Sequence, residues 1–145
     1  KIKTITKEGI KINVIGNNNK LPQDIKKTIK FIENKTFKNK RIILNLAFNY
    51  GSKEEIVNAC KKMVQRKKDI NVKNLGKNLY TNNMPDPDVL IRTGGTKRLS
   101  NFLLWQIAYS EIFFIDDYWP NFNKMKLENI IKEYNLRERR YGKLD

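Results

Sequence analysis

One segment of the chain gathers the residue types that handle phosphate. From Asp88 to Glu111 it reads DVLIRTGGTKRLSNFLLWQIAYSE. An apolar stretch ends at Arg92, a Gly94-Gly95 turn and the cations Lys97 and Arg98 follow, and Ser100 stands where a helix would open. Glycines let backbone approach a ligand closely, a helix N-terminus presents unpaired N–H groups, and arginine offers a rigid fork that matches phosphate oxygens. Together these predict an anion site beyond the carboxyl end of a strand, with phosphate or pyrophosphate as its guest. The other reading is that Arg92 pairs with a structural carboxylate and the glycines only turn the chain. The residues alone leave both open. The spacing is neither a P-loop nor a dinucleotide fingerprint.

Two more groups could take part. Glu111 follows a largely apolar run, where an ionised carboxylate needs a cation or a donor. A magnesium ion shared with a diphosphate would serve; a structural salt bridge would serve as well, and spacing alone favours the salt bridge. Arg137-Glu138-Arg139-Arg140-Tyr141-Gly142 is either a charge patch at a helix end or a second phosphate clamp. The chain has no histidine and a single cysteine, Cys60. Ser-His and Cys-His nucleophilic pairs, His-ligated zinc and Cys-cluster zinc are therefore excluded, as is an internal disulfide.

The elements that must hold these residues follow from hydrophobic periodicity. Gly9–Gly16 alternates and reads as a strand, and Ile25, Ile29 and Ile32 mark an amphipathic helix from Pro22 to about Asn34. Ile42–Asn49 is apolar on both faces, as in a strand inside a parallel sheet. Ser52 with Glu55 has the form of a capping box, and Ile56, Cys60, Met63 and Val64 line the expected buried face of the next helix. Lys67–Tyr80 reads as a loop with a short helix and Val89–Arg92 as a short strand. A buried helix over 101–109 capped by Ser100, a strand at Ile112–Ile115, and a closing helix through Leu127, Ile130, Ile131 and Tyr134 complete the series. Strand and helix alternate without a repeat or an interdomain linker, which predicts an α/β fold with a mainly parallel central sheet flanked by helices.

The 145 residues fit one domain, and 39% hydrophobic content supplies a core. No apolar run approaches the roughly 20 residues of a membrane span, and no signal segment opens the chain. The formal charge of +15 invites a nucleic-acid reading, but its distribution argues against one. Residues 1–85 carry 20 basic and 6 acidic side chains, net +14; residues 86–145 carry 10 and 9, net +1. The excess is lysine scattered among Asn and Ile, residues that A/T-rich codons favour, and no aromatic-interleaved basic stripe accompanies it.

The segment IRTGGTKRLSNFLLWQIAYSEIFF, running into DDYWPNF, resembles the signature of the cis-prenyltransferases, the undecaprenyl and dehydrodolichyl diphosphate synthase family. INVIGN, LNLAFNYGSKEEIV and LRERRYGK resemble that family too, in the expected order, so the likeness runs from about Ile10 to Gly142. It implies the family's fold and condensation of isopentenyl diphosphate onto an allylic diphosphate such as farnesyl diphosphate, with magnesium, to make a long polyprenyl diphosphate for dolichol- or undecaprenol-type carrier lipids. By the same resemblance Arg92, Arg98 and Ser100 bind the isopentenyl diphosphate head group, Arg92 and Arg98 acting in catalysis. Glu111 matches the magnesium-associated carboxylate. Arg140 and Gly142 match an R-x-G motif that completes the diphosphate site across a homodimer interface.

Thr96 stands where many members carry an acidic or amide side chain and is left out of the site. Nothing resembles the family's Asp-Gly-Asn-Gly-Arg-like block, whose Asp is linked to the metal, and the chain starts at Lys1 without a methionine. The expectation is therefore that residues 1–145 form the C-terminal part of a single catalytic domain, unable to elongate a prenyl chain alone. It would work in the cytoplasm or at a membrane surface, on the endoplasmic reticulum face in a eukaryote. A non-catalytic accessory subunit of a heteromeric synthase is the first alternative, though such subunits typically lose the Arg and Ser residues kept here; a nucleic-acid-binding module is the second.

Overall fold

The computed structural model describes residues 2–19 and 21–137. Arg140 and Gly142 lie outside them. The chain divides into two compact units, Lys1–Asn83 and Met84–Asp145.

The first unit opens with a short helix, α1 (Ile2–Lys7), which hydrophobic periodicity did not announce. Strands β1 (Ile10–Ile15) and β2 (Ile42–Ala47) pair in parallel, Ile10 opposite Ile42 through Ile15 opposite Ala47. Their connection is helix α2 (Gln23–Thr36), entered from Pro22. Proline at the helix entrance lacks only an N–H that would have no partner there anyway. Ile25, Ile29 and Ile32 of α2 face Val14, Leu46 and Phe48 across an apolar gap of about 250 Å3.

The outer edge of β1 is closed by polar side chains. The Ile12 N–H donates to Thr36 Oγ1 at 3.0 Å, the Val14 N–H to Glu33 Oε1 at 2.9 Å, and Asn39 Nδ2 donates to the Ile10 carbonyl at 2.7 Å. Among the described residues β2 pairs with β1 alone. It also leaves Ile42, Ile43, Leu44 and Leu46 exposed.

Helix α3 (Ser52–Gln65) begins one residue earlier than a Ser52 cap requires: Gly51 is its N-cap, and no side chain caps it. Its buried face is Ser52, Glu55, Ala59 and Met63, whereas Val64 is 64% exposed, so the expected apolar face is rotated. The cause is Glu55, which accepts from Tyr50 Oη at 2.5 Å and from the Tyr80 N–H at 2.6 Å. Those bonds draw a carboxylate inward that apolar spacing would have turned out. Helix α4 (Val72–Gly76) is the short helix expected in its loop, capped by Asn71, whose side chain accepts from the Asn74 N–H.

The second unit contains strands β3 (Val89–Arg92) and β4 (Glu111–Phe114), again parallel. After them come a 3-10 turn at Trp119–Asn121 and helix α5 (Lys124–Leu136), capped by Asn123. Both ladders are parallel and helices flank them, as the α/β expectation holds. The expected helix over 101–109 does not form. That stretch is a chain of turns, because Ser100, Asn101 and Leu103 adopt φ of +50°, +64° and +44°. A right-handed helix cannot pass through left-handed residues.

The edge closure of β1 is testable. Thr36 is fully buried and bonds both the Ile12 N–H and the Ile32 carbonyl. Thr36→Val, which keeps the shape and leaves the Ile12 N–H unpaired, is expected to cost about 1–3 kcal/mol in urea unfolding. Thr28→Val, on the exposed face of α2, is expected to change stability by less than about 0.5 kcal/mol.

Candidate functional site

The register of β3 on β4 decides where the charged candidates stand. Val89 lies opposite Glu111 and Arg92 opposite Phe114. Side chains alternate along a strand and paired residues share a face. Val89, Ile91, Glu111 and Phe113 therefore occupy one face, and Leu90, Arg92, Ile112 and Phe114 the other. Arg92 and Glu111 are also at opposite ends of the ladder, about 10 Å apart along the strand direction at roughly 3.3 Å per residue.

On the Glu111 face, α5 brings Arg137. Its guanidinium donates to Glu111 Oε2 at 2.5 Å and to Glu133 Oε1 at 2.5 Å, and lies 4.3 Å from the centre of the Phe113 ring. The hydrogen bond from Glu111, then that from Glu133, raises the Arg137 pKa above its ordinary value, so this group keeps its proton at any working pH. The structural salt bridge considered for Glu111 is present. As a metal ligand Glu111 fits poorly within this chain. No group of three metal-ligating side chains occurs among the described residues, and one of its oxygens is committed to Arg137.

On the Arg92 face the situation is the reverse. Arg92 Nε is buried without a hydrogen-bond partner, and no ion pair holds the guanidinium among the described residues. The structural carboxylate that would have explained it is not there. Arg92 lines a cleft of about 240 Å3 with Leu90, Ile91, Thr93, Leu99 and Phe102. An unpaired guanidinium among apolar walls suits an anion that carries a small apolar group.

The loop beyond Arg92 is held by its own backbone. The Ile115 N–H donates to the Arg92 carbonyl at 2.8 Å, Gly94 N–H to Asp117 at 2.8 Å, and Gly95 N–H to Ile115 at 3.0 Å. Gly94 and Gly95 have φ of +90° and +67°, which a side chain would strain. Their amides are spent on this docking, so the glycines shape the loop rather than cradle an anion. Lys126 secures the docking segment through Asp117 at 2.6 Å. Arg98 and Ser100 are exposed, and without a helix at 101–109 Ser100 offers its hydroxyl rather than a helix N-terminus.

Sequence reasoning missed the strain. Three non-glycine residues with positive φ, Ser100, Asn101 and Leu103, fall within four positions. Such clusters cost energy and concentrate at functional sites. No composition signal announces them, since none is the glycine that usually marks this conformation.

Comparison with known proteins agrees with this geometry. The profile of a family described as undecaprenyl diphosphate synthase matches residues 1–142. An isoprenyl transferase of Fusobacterium nucleatum is 45% identical over 141 residues, covering 97% of this chain and 61% of that protein. A solved structure of a probable undecaprenyl diphosphate synthase from Campylobacter jejuni superposes with a TM-score of 0.90 at 36% identity, covering 98% of this chain and 67% of the other. Lavandulyl diphosphate synthase from Lavandula x intermedia, solved with dimethylallyl diphosphate, gives a TM-score of 0.91 at 32% identity, covering 98% and 64%. The chain thus spans about three fifths of the length of the Fusobacterium relative.

If Arg92 has no structural partner, its removal should not weaken the fold. Arg92→Met is expected to leave the unfolding midpoint of the ligand-free protein unchanged or higher, because it relieves a buried unpaired polar atom worth about 1–3 kcal/mol. A loss of more than about 1 kcal/mol would reveal a structural bond instead.

Proposed function

The chain belongs to the undecaprenyl diphosphate synthase family of cis-prenyltransferases, and from that membership we propose that it is part of an enzyme that lengthens an allylic diphosphate with isopentenyl diphosphate. The observation that carries the reading is the unpartnered Arg92 guanidinium in a cleft walled by Leu90, Leu99 and Phe102. Isopentenyl diphosphate has the matching halves: a dianionic or trianionic head and a five-carbon apolar tail. Residues 1–145 act as the C-terminal part of one catalytic domain, and the exposed apolar residues of β2 suit a strand that expects further neighbours.

In this reading Arg92 and Arg98 grip the diphosphate of the isopentenyl unit, Ser100 donates its hydroxyl to the same group, and the apolar walls orient the alkene. A carbon–carbon bond forms between the alkene terminus and the allylic carbon. The allylic C–O bond breaks with departure of pyrophosphate, and a proton leaves the new chain to restore a double bond. Fixed guanidinium groups stabilise the charge that gathers on the diphosphates without reorganising.

Magnesium belongs to the same proposal. When bound it would supply further positive charge to the diphosphates. Glu111 offers it one oxygen at most, on the strand face opposite Arg92, so no step is assigned to it. A homodimer in which Arg140 and Gly142 complete the site, or a heteromer with an accessory subunit, stands as part of the proposal, as does work at a membrane surface on a product with a long apolar tail. No helix among the described residues is long and apolar enough to cross a membrane.

The test is steady-state transfer of labelled isopentenyl units onto farnesyl diphosphate, using these residues within a family-length enzyme. Arg92→Ala is expected to raise the KM for isopentenyl diphosphate by about tenfold or more, as the loss of a charge-assisted contact predicts, while the KM for the allylic diphosphate stays within a factor of about two. Unchanged isopentenyl affinity and turnover would refute the role of Arg92.

A further inference from the structure

The first unit holds a cleft that the proposed reaction does not use. It measures about 450 Å3 and opens where β1 ends, between the loop after Gly16 and the side of α3 that carries Asn58, Lys61, Lys62 and Gln65, with Tyr80 alongside. Crevices beyond the carboxyl ends of strands are where open α/β sheets take ligands. None of the lining residues is acidic.

The polar groups in this cleft are donors in search of an acceptor. Lys62 Nζ lies 5.6 Å from the centre of the Tyr80 ring, and Lys61 has no partner among the described residues. Glu55, the carboxylate nearest in sequence on the inner face of α3, is engaged by Tyr50 and by the Tyr80 N–H and does not line the cleft. Asn18 is the informative residue. Its Oδ1 is buried without a hydrogen-bond partner. A half-turn of that amide presents Nδ2 in the same place, so the position can donate as readily as accept. A merely solvated lysine face needs no unpaired amide beneath it.

The loop that carries Asn18 is fixed before any ligand arrives. Asn17 N–H donates to the Asn49 carbonyl at 3.1 Å, Asn49 Nδ2 donates to the Asn17 carbonyl at 2.7 Å, and Asn19 N–H donates to Asn17 Oδ1 at 3.1 Å. Gly16, at φ +129°, passes so close to Phe48 that a Cβ would lie 2.1 Å from its carbonyl oxygen. Two ammonium groups and several carboxamides on a preorganised frame make a receptor for an oxyanion with many acceptor atoms.

We propose that the cleft bounded by Asn18, Asn58, Lys61, Lys62, Gln65 and Tyr80 is an oxyanion site that takes a phosphate or diphosphate ester. Its residues are not those of the Arg92 loop, so the assignment stands or falls independently of the prenyl-transfer reading. The volume exceeds what a bare phosphate fills, leaving room for the organic part of the ester.

The experiment is a titration of the isotopically labelled 145-residue chain with inorganic pyrophosphate at constant ionic strength, followed through the side-chain amide signals of Asn18, Asn58 and Gln65. A saturable shift at Asn18 is expected. The double variant Lys61→Gln/Lys62→Gln, altered only at exposed positions, should retain the backbone spectrum and bind about tenfold or more weakly. Lys132→Gln on α5 should bind as the parent does, and Arg92→Met should keep the Asn18 shift. Isopentenyl diphosphate should shift the same signals at lower concentration than pyrophosphate. The proposal is overturned if Asn18 shows no saturable shift, if chloride at matched ionic strength reproduces it, or if it survives in the double lysine variant or vanishes in Arg92→Met.

Discussion

The parallel register that sets Val89 against Glu111 is the constraint on which the second unit depends. It sorts the charged side chains by face before any of them finds a partner. Glu111 and Phe113 turn to the face where Arg137 lies, and the guanidinium bonds the one and stacks on the other. Arg92 turns to the opposite face. A slip of one residue would exchange the two faces, placing Arg92 beside the very carboxylate it now avoids. The same ladder continues into the Gly94-Gly95 loop, whose amides dock on Ile115 and Asp117, and Lys126 anchors Asp117 in turn. Neighbouring carboxylates are thereby spent on Arg137 and Lys126. An exposed arginine that lacked a partner would mean little. Arg92 Nε is buried, and the fold tolerates that cost where a ligand can repay it.

Much of this was legible in the residues. Alternation located β1 and β2, apolar spacing located α2 and α5, and the β3 strand begins and ends where its sequence says. The IRTGG segment pointed to Arg92, Arg98 and Ser100 by residue type and order. What the sequence could not carry was long-range pairing. Arg137 is 26 residues from Glu111, and nothing local marks either as the other's partner. The helical look of 101–109 misled for a related reason: its apolar run records burial, whereas its path is set by left-handed residues at Ser100, Asn101 and Leu103. The inner face of α3 was misread because two hydrogen bonds from the Tyr50 side chain and the Tyr80 backbone make Glu55 a core residue.

Hydrophobic pattern and observed burial also part company at β2. Its sequence is that of a strand covered on both faces, yet Ile43 is 52% exposed and Leu44 43% among the described residues. Pattern reports the environment for which a strand was selected, and exposure reports the atoms at hand. The two disagree here in a chain that matches about three fifths of its Fusobacterium relative. On the Arg92 side no such disagreement arises, because the apolar walls of the cleft come from within the unit itself.

The polar side chains of Glu33, Thr36 and Asn39 along the outer edge of β1 have a consequence for assembly. A sheet grows into a fibril only if each added strand leaves another receptive edge, so open-ended stacking needs two sticky margins per molecule. This first sheet has one margin stoppered by its own helix. If the bare side of β2 meets the bare side of another copy, both are consumed and the association stops at a pair. A strand with five exposed large apolar residues from Ile42 to Phe48 is thus kept from becoming the seed of a polymer.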